Sequence, residues 1–239
     1  MSIPVSKMRI EILTEDKSGS VVVERMARAI CEGVGVDADI KVRPHRGCGS
    51  FPKDPDMKPE HFASSLLELL PAKCRAYNKV FRNNECVLVV VMDSDDKDPD
   101  DLRSNLYECT RHYAPGLRSV IGLCTEEVEA WLLGDHKAVI SAYPDCDIRY
   151  YNTYIQDSVC GTWETLCRVI CPDNYEDIIE IGYPAVGNYK ARWAENISQF
   201  MIPEDNISPS FKIFMNALKI AAVKPVPVSA RPGVRRRSF

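Results

Sequence analysis

Long apolar runs are missing from this 239-residue chain: the longest uninterrupted one, Cys86 to Met92, falls far short of the roughly 20 residues a membrane-spanning helix requires. The N-terminus also lacks the apolar stretch of a signal peptide, so membrane and secretory readings are set aside. There is no CxxC pair, no G-x-x-x-x-G-K-[ST] phosphate loop and no G-x-S-x-G nucleophile elbow. A zinc ribbon, a P-loop NTPase and a conventional α/β-hydrolase triad are thereby excluded. Histidine is scarce: His45, His61, His112 and His136 show no ligand spacing with one another or with the ten cysteines. Those cysteines are scattered rather than paired, which reads as reduced core thiols in a cytoplasmic protein. Internal repeats are absent as well.

What remains is 45% apolar and 27% charged residues, the composition of an ordinary globular protein with enough length to bury a full core. The net charge of −4 is unevenly spread. Residues 224–239 (KPVPVSARPGVRRRSF) hold five bases and no acid, so the excess of acids over bases in the rest of the chain is nine. A uniform polyanion-binding surface is not implied, and contact with nucleic acid would come from local patches. Prolines at 225, 227 and 232 block helix formation, and the tail is expected to be flexible and basic.

The apolar pattern alternates between strand and helix periods. Met8 to Leu13 reads as a strand that stops at Thr14-Glu15-Asp16. Ser18-Gly19-Ser20 supplies turn and cap chemistry for a helix over Val21–Glu32. A second strand is expected over Asp39–Val42, a Gly- and Pro-rich loop over Arg43–Pro59 and a helix over Pro59–Arg82 through Phe62, Leu66, Leu69 and Leu70. Cys86 to Met92, apolar on both faces, reads as a strand buried on both sides of a parallel sheet. A helix from Asp98 or Pro99 to about Tyr113 and a strand over Ser119–Leu123 complete a β-α-β-α-β-α-β order. That order predicts an α/β fold with right-handed crossovers and helices on both faces of the sheet, occupying residues 1–125. Beyond it, helical segments over 126–133, 135–143, 163–170, 187–201 and 208–223 predict a helical region that completes or flanks the sheet.

Two of the strand ends are acidic, and open parallel sheets bind ligands at the carboxyl ends of their strands. Glu15 follows the first strand; Asp93, Asp95 and Asp96 follow the third. If those strands are neighbours the carboxylates meet, and unit charges about 4 Å apart repel by roughly 4 kcal/mol at an effective dielectric of about 20. A divalent cation is the usual resolution. Strand alternation in Asp93-Ser94-Asp95 would direct both aspartates to one ion, and hard oxygen ligands without His or Cys favour Mg²⁺ or Mn²⁺. Phosphate chemistry follows from such a site. The competing account is an acidic loop capping a helix N-terminus, since Asp93 to Asp101 contains six aspartates.

The segments ILTEDKSG, VLVVVMDSDD and TEEVEAWLLGD together resemble a bacterial family of unassigned activity that carries a TOPRIM-like domain. That family is often encoded beside an ATPase and linked with phage-defence or DNA-repair loci. The resemblance spans roughly residues 8 to 220. It implies a TOPRIM-like parallel sheet in which a Glu after the first strand and a D-x-D after the third bind Mg²⁺ during phosphodiester cleavage, positions that fall on Glu15, Asp93 and Asp95. Asp16-Lys17-Ser18-Gly19 replaces the small-residue turn of topoisomerases and primases, so a hydrolytic nuclease is the simpler implication.

Further candidates surround this core. Glu129, on one helical face with Glu126, is a candidate extra metal ligand or water-orienting group beside Asp96; helix-dipole complementation with Trp131 in the core explains the segment too. Arg43 and Arg46, in a glycine-containing loop with His45, are candidate clamps for substrate phosphate, and Lys190 near a helix start is a third. The expectation is a Mg²⁺-dependent nuclease acting on nucleic acid, compatible with an ATPase partner and with homo-oligomers. The alternative is a non-catalytic partner or regulator of an ATPase whose acidic site is structural.

Overall fold

The computed structural model describes residues 7–81 and 86–223; the basic tail expected at 224–239 lies outside them. Four strands, β1 (Met8–Thr14), β2 (Ala38–Pro44), β3 (Cys86–Asp93) and β4 (Arg118–Cys124), form one sheet in the order β2-β1-β3-β4. All pairings are parallel. Three helices connect them: α1 (Lys17–Gly33), α2 (Leu66–Val80) and α3 (Pro99–Tyr113). Seven more follow β4: α4 (Glu129–Leu133), α5 (His136–Ala142), α6 (Ile148–Tyr151), α7 (Thr162–Ile170), α8 (Tyr175–Ile181), α9 (Ala185–Ser198) and α10 (Pro209–Ala222). No helix among the described residues is long and apolar enough to cross a membrane.

Side-chain alternation divides the interior into two layers. Ile10, Ile12, Val87, Val89, Val91 and Val120 face α1 and the C-terminal helices, whereas Leu13, Leu88, Val90, Met92 and Ile121 face α2 and α3. Helices therefore cover both faces. The region after β4 completes the sheet rather than standing apart: α10 packs on β4 and α1, and α9 packs on α1. Its anchor is Trp131, stacked on Phe214 with ring centroids 5.1 Å apart and edge-on to Phe211 at 5.3 Å. The indole N–H donates to Ser210 Oγ at 2.9 Å, which satisfies the one polar atom of a ring that is otherwise in the core.

Three expectations need correction. The cap of α1 is Asp16, whose carboxylate accepts from the Gly19 amide at 2.7 Å and from Ser18 Oγ, so the helix starts earlier than Val21. Helix α2 begins at Leu66, not Pro59, because the Leu66 and Leu67 amides donate to the Gly47 and Cys48 carbonyls at 2.9 Å each, locking residues 47–65 as a loop. Phe62 is consequently 88% exposed instead of lining a helix face. The segment expected as a helix from Glu126 becomes helical only at Glu129.

Gly122 of β4 lies beneath the aromatic stack: a Cβ there would sit 2.9 Å from Phe214 Cδ2, 3.1 Å from Val91 Cγ2 and 3.2 Å from Trp131 Cη2. Gly122→Ala is expected to lower unfolding stability by about 1–3 kcal/mol through overpacking. Urea denaturation checks this; an unchanged midpoint would mean the stack is looser than described.

Candidate functional site

β1 and β3 are adjacent, and the sheet order reverses direction between them, since β2 lies on one side of β1 and β3 on the other. Such a switch point opens a crevice at the carboxyl ends of the strands. Glu15 leaves β1 there, and Asp93 is the last residue of β3. Glu15 Oε2 accepts a hydrogen bond from the Asp93 backbone amide at 3.3 Å. The expectation that these two positions meet is met by the register of the strands, in which Thr14 pairs with Val91.

The acids at this edge act strongly on one another. Burial pushes the Glu15 carboxyl up to about 7; the Asp93 amide hydrogen bond opposes the rise, and the charges of Asp95 and Asp16 add to it. Asp93 is raised well above the usual carboxylate range, first by desolvation and then by Glu129, Glu15 and Asp16. By surface area Asp93 keeps a partial opening to solvent, but it is densely surrounded by protein, and that crowding governs its ionisation. Glu129 is 0% exposed, and burial outweighs Lys190 to push it up to about 7. Asp16 also belongs to this group, although its carboxylate is already committed to capping α1.

Asp95 departs from the strand-based expectation. β3 ends at Asp93, and Asp95 adopts φ 49°, so alternation does not continue and the two aspartates are not presented side by side as strand neighbours. Asp95 Oδ2 instead pairs with Lys97 Nζ at 3.1 Å at the exposed mouth of the crevice, close enough for its charge to act on Glu15. Asp96 is exposed in the turn and is not among the main charges acting on Glu15 or Asp93. Asp98 caps α3 by accepting from the Asp100 and Asp101 amides at 2.9 and 3.1 Å, so part of the acidic run has the helix-capping role.

The expected phosphate clamps are placed differently. Arg43 belongs to β2 rather than to the loop, and its Nε lies 3.1 Å from Oε2 of the buried Glu11. That carboxylate also holds Arg9, through Nε at 2.7 Å, so the exposed Arg43 is tied into a charge network around the buried Glu11. Arg46 is exposed, its backbone amide tied to Ser64 O at 3.0 Å. Lys190 is 7% exposed. Its Nζ lies 3.0 Å from Glu127 Oε1 and 3.3 Å from Glu129 Oε2, making it an internal counter-ion rather than a rim residue. Burial alone would lower the Lys190 ammonium, but Glu129 and Glu127 outweigh it and hold it charged. The pattern foretelling this was present in the sequence: Lys190 shares a helical face with Val186, Trp193, Ala194 and Ile197, all buried. His45 turns inward, its Nδ1 2.7 Å from Thr14 O, and burial lowers its pKa, so the imidazole is neutral.

The donor chemistry of Glu15, Asp93 and Glu129 suits a hard divalent ion; both Glu129 oxygens are buried without a hydrogen bond, and Oε2 has Lys190 Nζ as its ion-pair partner at 3.3 Å. No three His, Cys, Asp or Glu side chains among the described residues are gathered closely enough to hold a metal ion. Comparison with protein-family models, curated proteins and solved structures gave no match.

Two outcomes follow. Lys190→Met strands the buried Glu129 and the half-buried Glu127 without their cation and is expected to destabilise the protein by about 3–5 kcal/mol in urea denaturation. Glu15, whose folded pKa of about 7 lies above its usual value of 4.5, binds more protons folded than unfolded in that window. Its contribution to stability therefore falls as pH rises from about 4.5 to 7 and is flat above. In metal-free buffer Glu15→Gln is expected to gain stability over the parent, on the order of 1–3 kcal/mol by pH 8 and none at pH 4; a pH-independent difference in thermal melts would contradict the shift.

Proposed function

We propose that the chain is a Mg²⁺-dependent phosphodiester hydrolase, a nuclease of TOPRIM-like fold. The observation that carries this reading is the Glu15–Asp93 contact at the switch point, where two carboxylates with raised pKa values share one sheet edge. Glu15, Asp93 and Asp95 would hold Mg²⁺ or Mn²⁺, with Glu129 as a further carboxylate, drawn together on binding. When bound, such an ion neutralises phosphoryl oxygens and lowers the pKa of water.

The chain's own residues have distinct work in this reading. Glu15 Oε2 accepts from the Asp93 amide, which leaves Oε1 as the oxygen that would help hold the ion and orient its water. Lys97, paired with Asp95 at the mouth, and the exposed Arg46, whose neighbour Gly47 donates its amide to the Glu15 carbonyl at 3.0 Å, would be the cations offered to a substrate phosphate. A nucleic-acid substrate and an ATPase partner belong to the same proposal.

A second reading, a non-catalytic partner of an ATPase, is favoured by the neutralisation of Glu127 and Glu129 by Lys190, which gives two of the acids a structural purpose. Cleavage of single- and double-stranded nucleic acid with Mg²⁺ or Mn²⁺, with and without an ATPase, separates the two. Glu15→Gln and Asp93→Asn are expected to lose at least about 100-fold in rate while remaining folded. Undiminished cleavage in both variants would remove the assigned site, and no cleavage or metal-dependent thermal shift at millimolar Mg²⁺ would favour the partner reading.

A further inference from the structure

Asp95 at φ 49° and Glu126 at φ 59° hold left-handed backbone without being glycine. A Cβ makes this conformation unfavourable, and it persists where the surroundings over-determine it. The two residues face each other across the loops that follow β3 and β4 and are tied reciprocally. The Asp95 amide donates to the Glu126 carbonyl at 3.0 Å, and the Glu126 amide donates to Ser94 Oγ at 3.0 Å. The Ser94 amide donates to Cys124 O at 2.9 Å, carrying the β3–β4 ladder one step past the strands. Ser94 is 1% exposed, so no solvent stands ready to replace its hydroxyl as acceptor.

The far end of Glu126 is equally committed. Its Oε2 accepts from the Cys160 and Thr162 amides, each at 3.0 Å, and from the Thr162 hydroxyl, while Oε1 accepts from the Gly161 amide at 3.0 Å. Burial would raise this carboxyl, but these donors outweigh it and hold it ionised. Both oxygens are thus engaged where α7 begins, three donors meeting at Oε2 and one at Oε1.

We infer that Ser94 and Glu126 are positioning residues that fix the Asp93-Ser94-Asp95 turn against the end of β4, with Glu126 anchoring that turn to the start of α7. Ser94 links the two aspartates through its backbone and holds Glu126 through its hydroxyl. Without Oγ, the Glu126 amide loses its partner, and Asp95 loses a constraint that keeps it in an unfavourable conformation. The consequence for catalysis rests on the phosphodiesterase reading; the geometry rests on the hydrogen bonds alone.

The test compares Ser94→Ala, Ser94→Thr, Glu126→Ala and Glu126→Gln by hydrogen exchange at the Asp95 amide in metal-free protein and by Mg²⁺-dependent cleavage. Ser94→Ala and Glu126→Ala are expected to speed Asp95 exchange at least about tenfold and to lower kcat about 10–100-fold with KM within about threefold. Ser94→Thr, which retains the hydroxyl, is expected to restore both, and Glu126→Gln, which retains one acceptor oxygen, to fall between; it is also the milder variant if an alanine form does not fold. Parental Asp95 exchange in Ser94→Ala and Glu126→Ala overturns the inference, whatever their kcat. Full cleavage by both Glu15→Gln and Asp93→Asn would instead sink the phosphodiesterase reading, and exchange at Asp95 would then decide the positioning role by itself.

Discussion

The structure turns on the adjacency of β1 and β3, which forces the carboxylates that end them into one poorly hydrated crevice. Like charges in such surroundings repel by several kcal/mol, so the fold must answer them. It does so in three ways: the Asp93 amide binds Glu15, burial shifts Glu15 and Glu129 toward protonation, and a buried ammonium, Lys190, stands against Glu127 and Glu129. Each response is also a latent function. A carboxyl that protonates near neutrality can exchange protons.

The sheet and the C-terminal helices divide this work. β1 and β3 supply Glu15 and Asp93, whereas α4 supplies the buried Glu129 and α9 supplies Lys190. Trp131, in the middle of α4, is clamped between Phe211 and Phe214 of α10. The aromatic packing that closes one face of the sheet thus sets the depth at which Glu129 enters the crevice. Core and site are joined through a helix of five residues, all buried.

The parallel sheet, its helices on both faces and the meeting of Glu15 with Asp93 were legible in the sequence because they follow from apolar periodicity and from the rule that strand ends converge. Elements fixed by contacts distant in sequence were not. α2 starts where the Gly47 and Cys48 carbonyls receive its first amides, and no local propensity announces that. Arg43 and Lys190 carried the right charge for phosphate but were claimed by Glu11, Glu127 and Glu129, because a guanidinium or ammonium near a buried carboxylate pairs with it before it serves a ligand. The short helices α6 and α8, of four and seven residues, were not foreseen. Asp95 misled differently: alternation predicts a side only while the strand lasts, and β3 stops two residues earlier.

Lys190 enters the chain almost a hundred residues after Asp93. During synthesis the sheet strands emerge first, and the acids of the crevice gain their internal counter-ion only when α9 docks against α1. A nascent chain ending at β4 would carry the carboxylates of its strand ends with neither Glu129 nor Lys190 beside them. Pairing of the crevice's acids with their internal counter-ion therefore waits until α9 has been made, and the ionic state of the folded crevice is inaccessible to a chain that stops short of it.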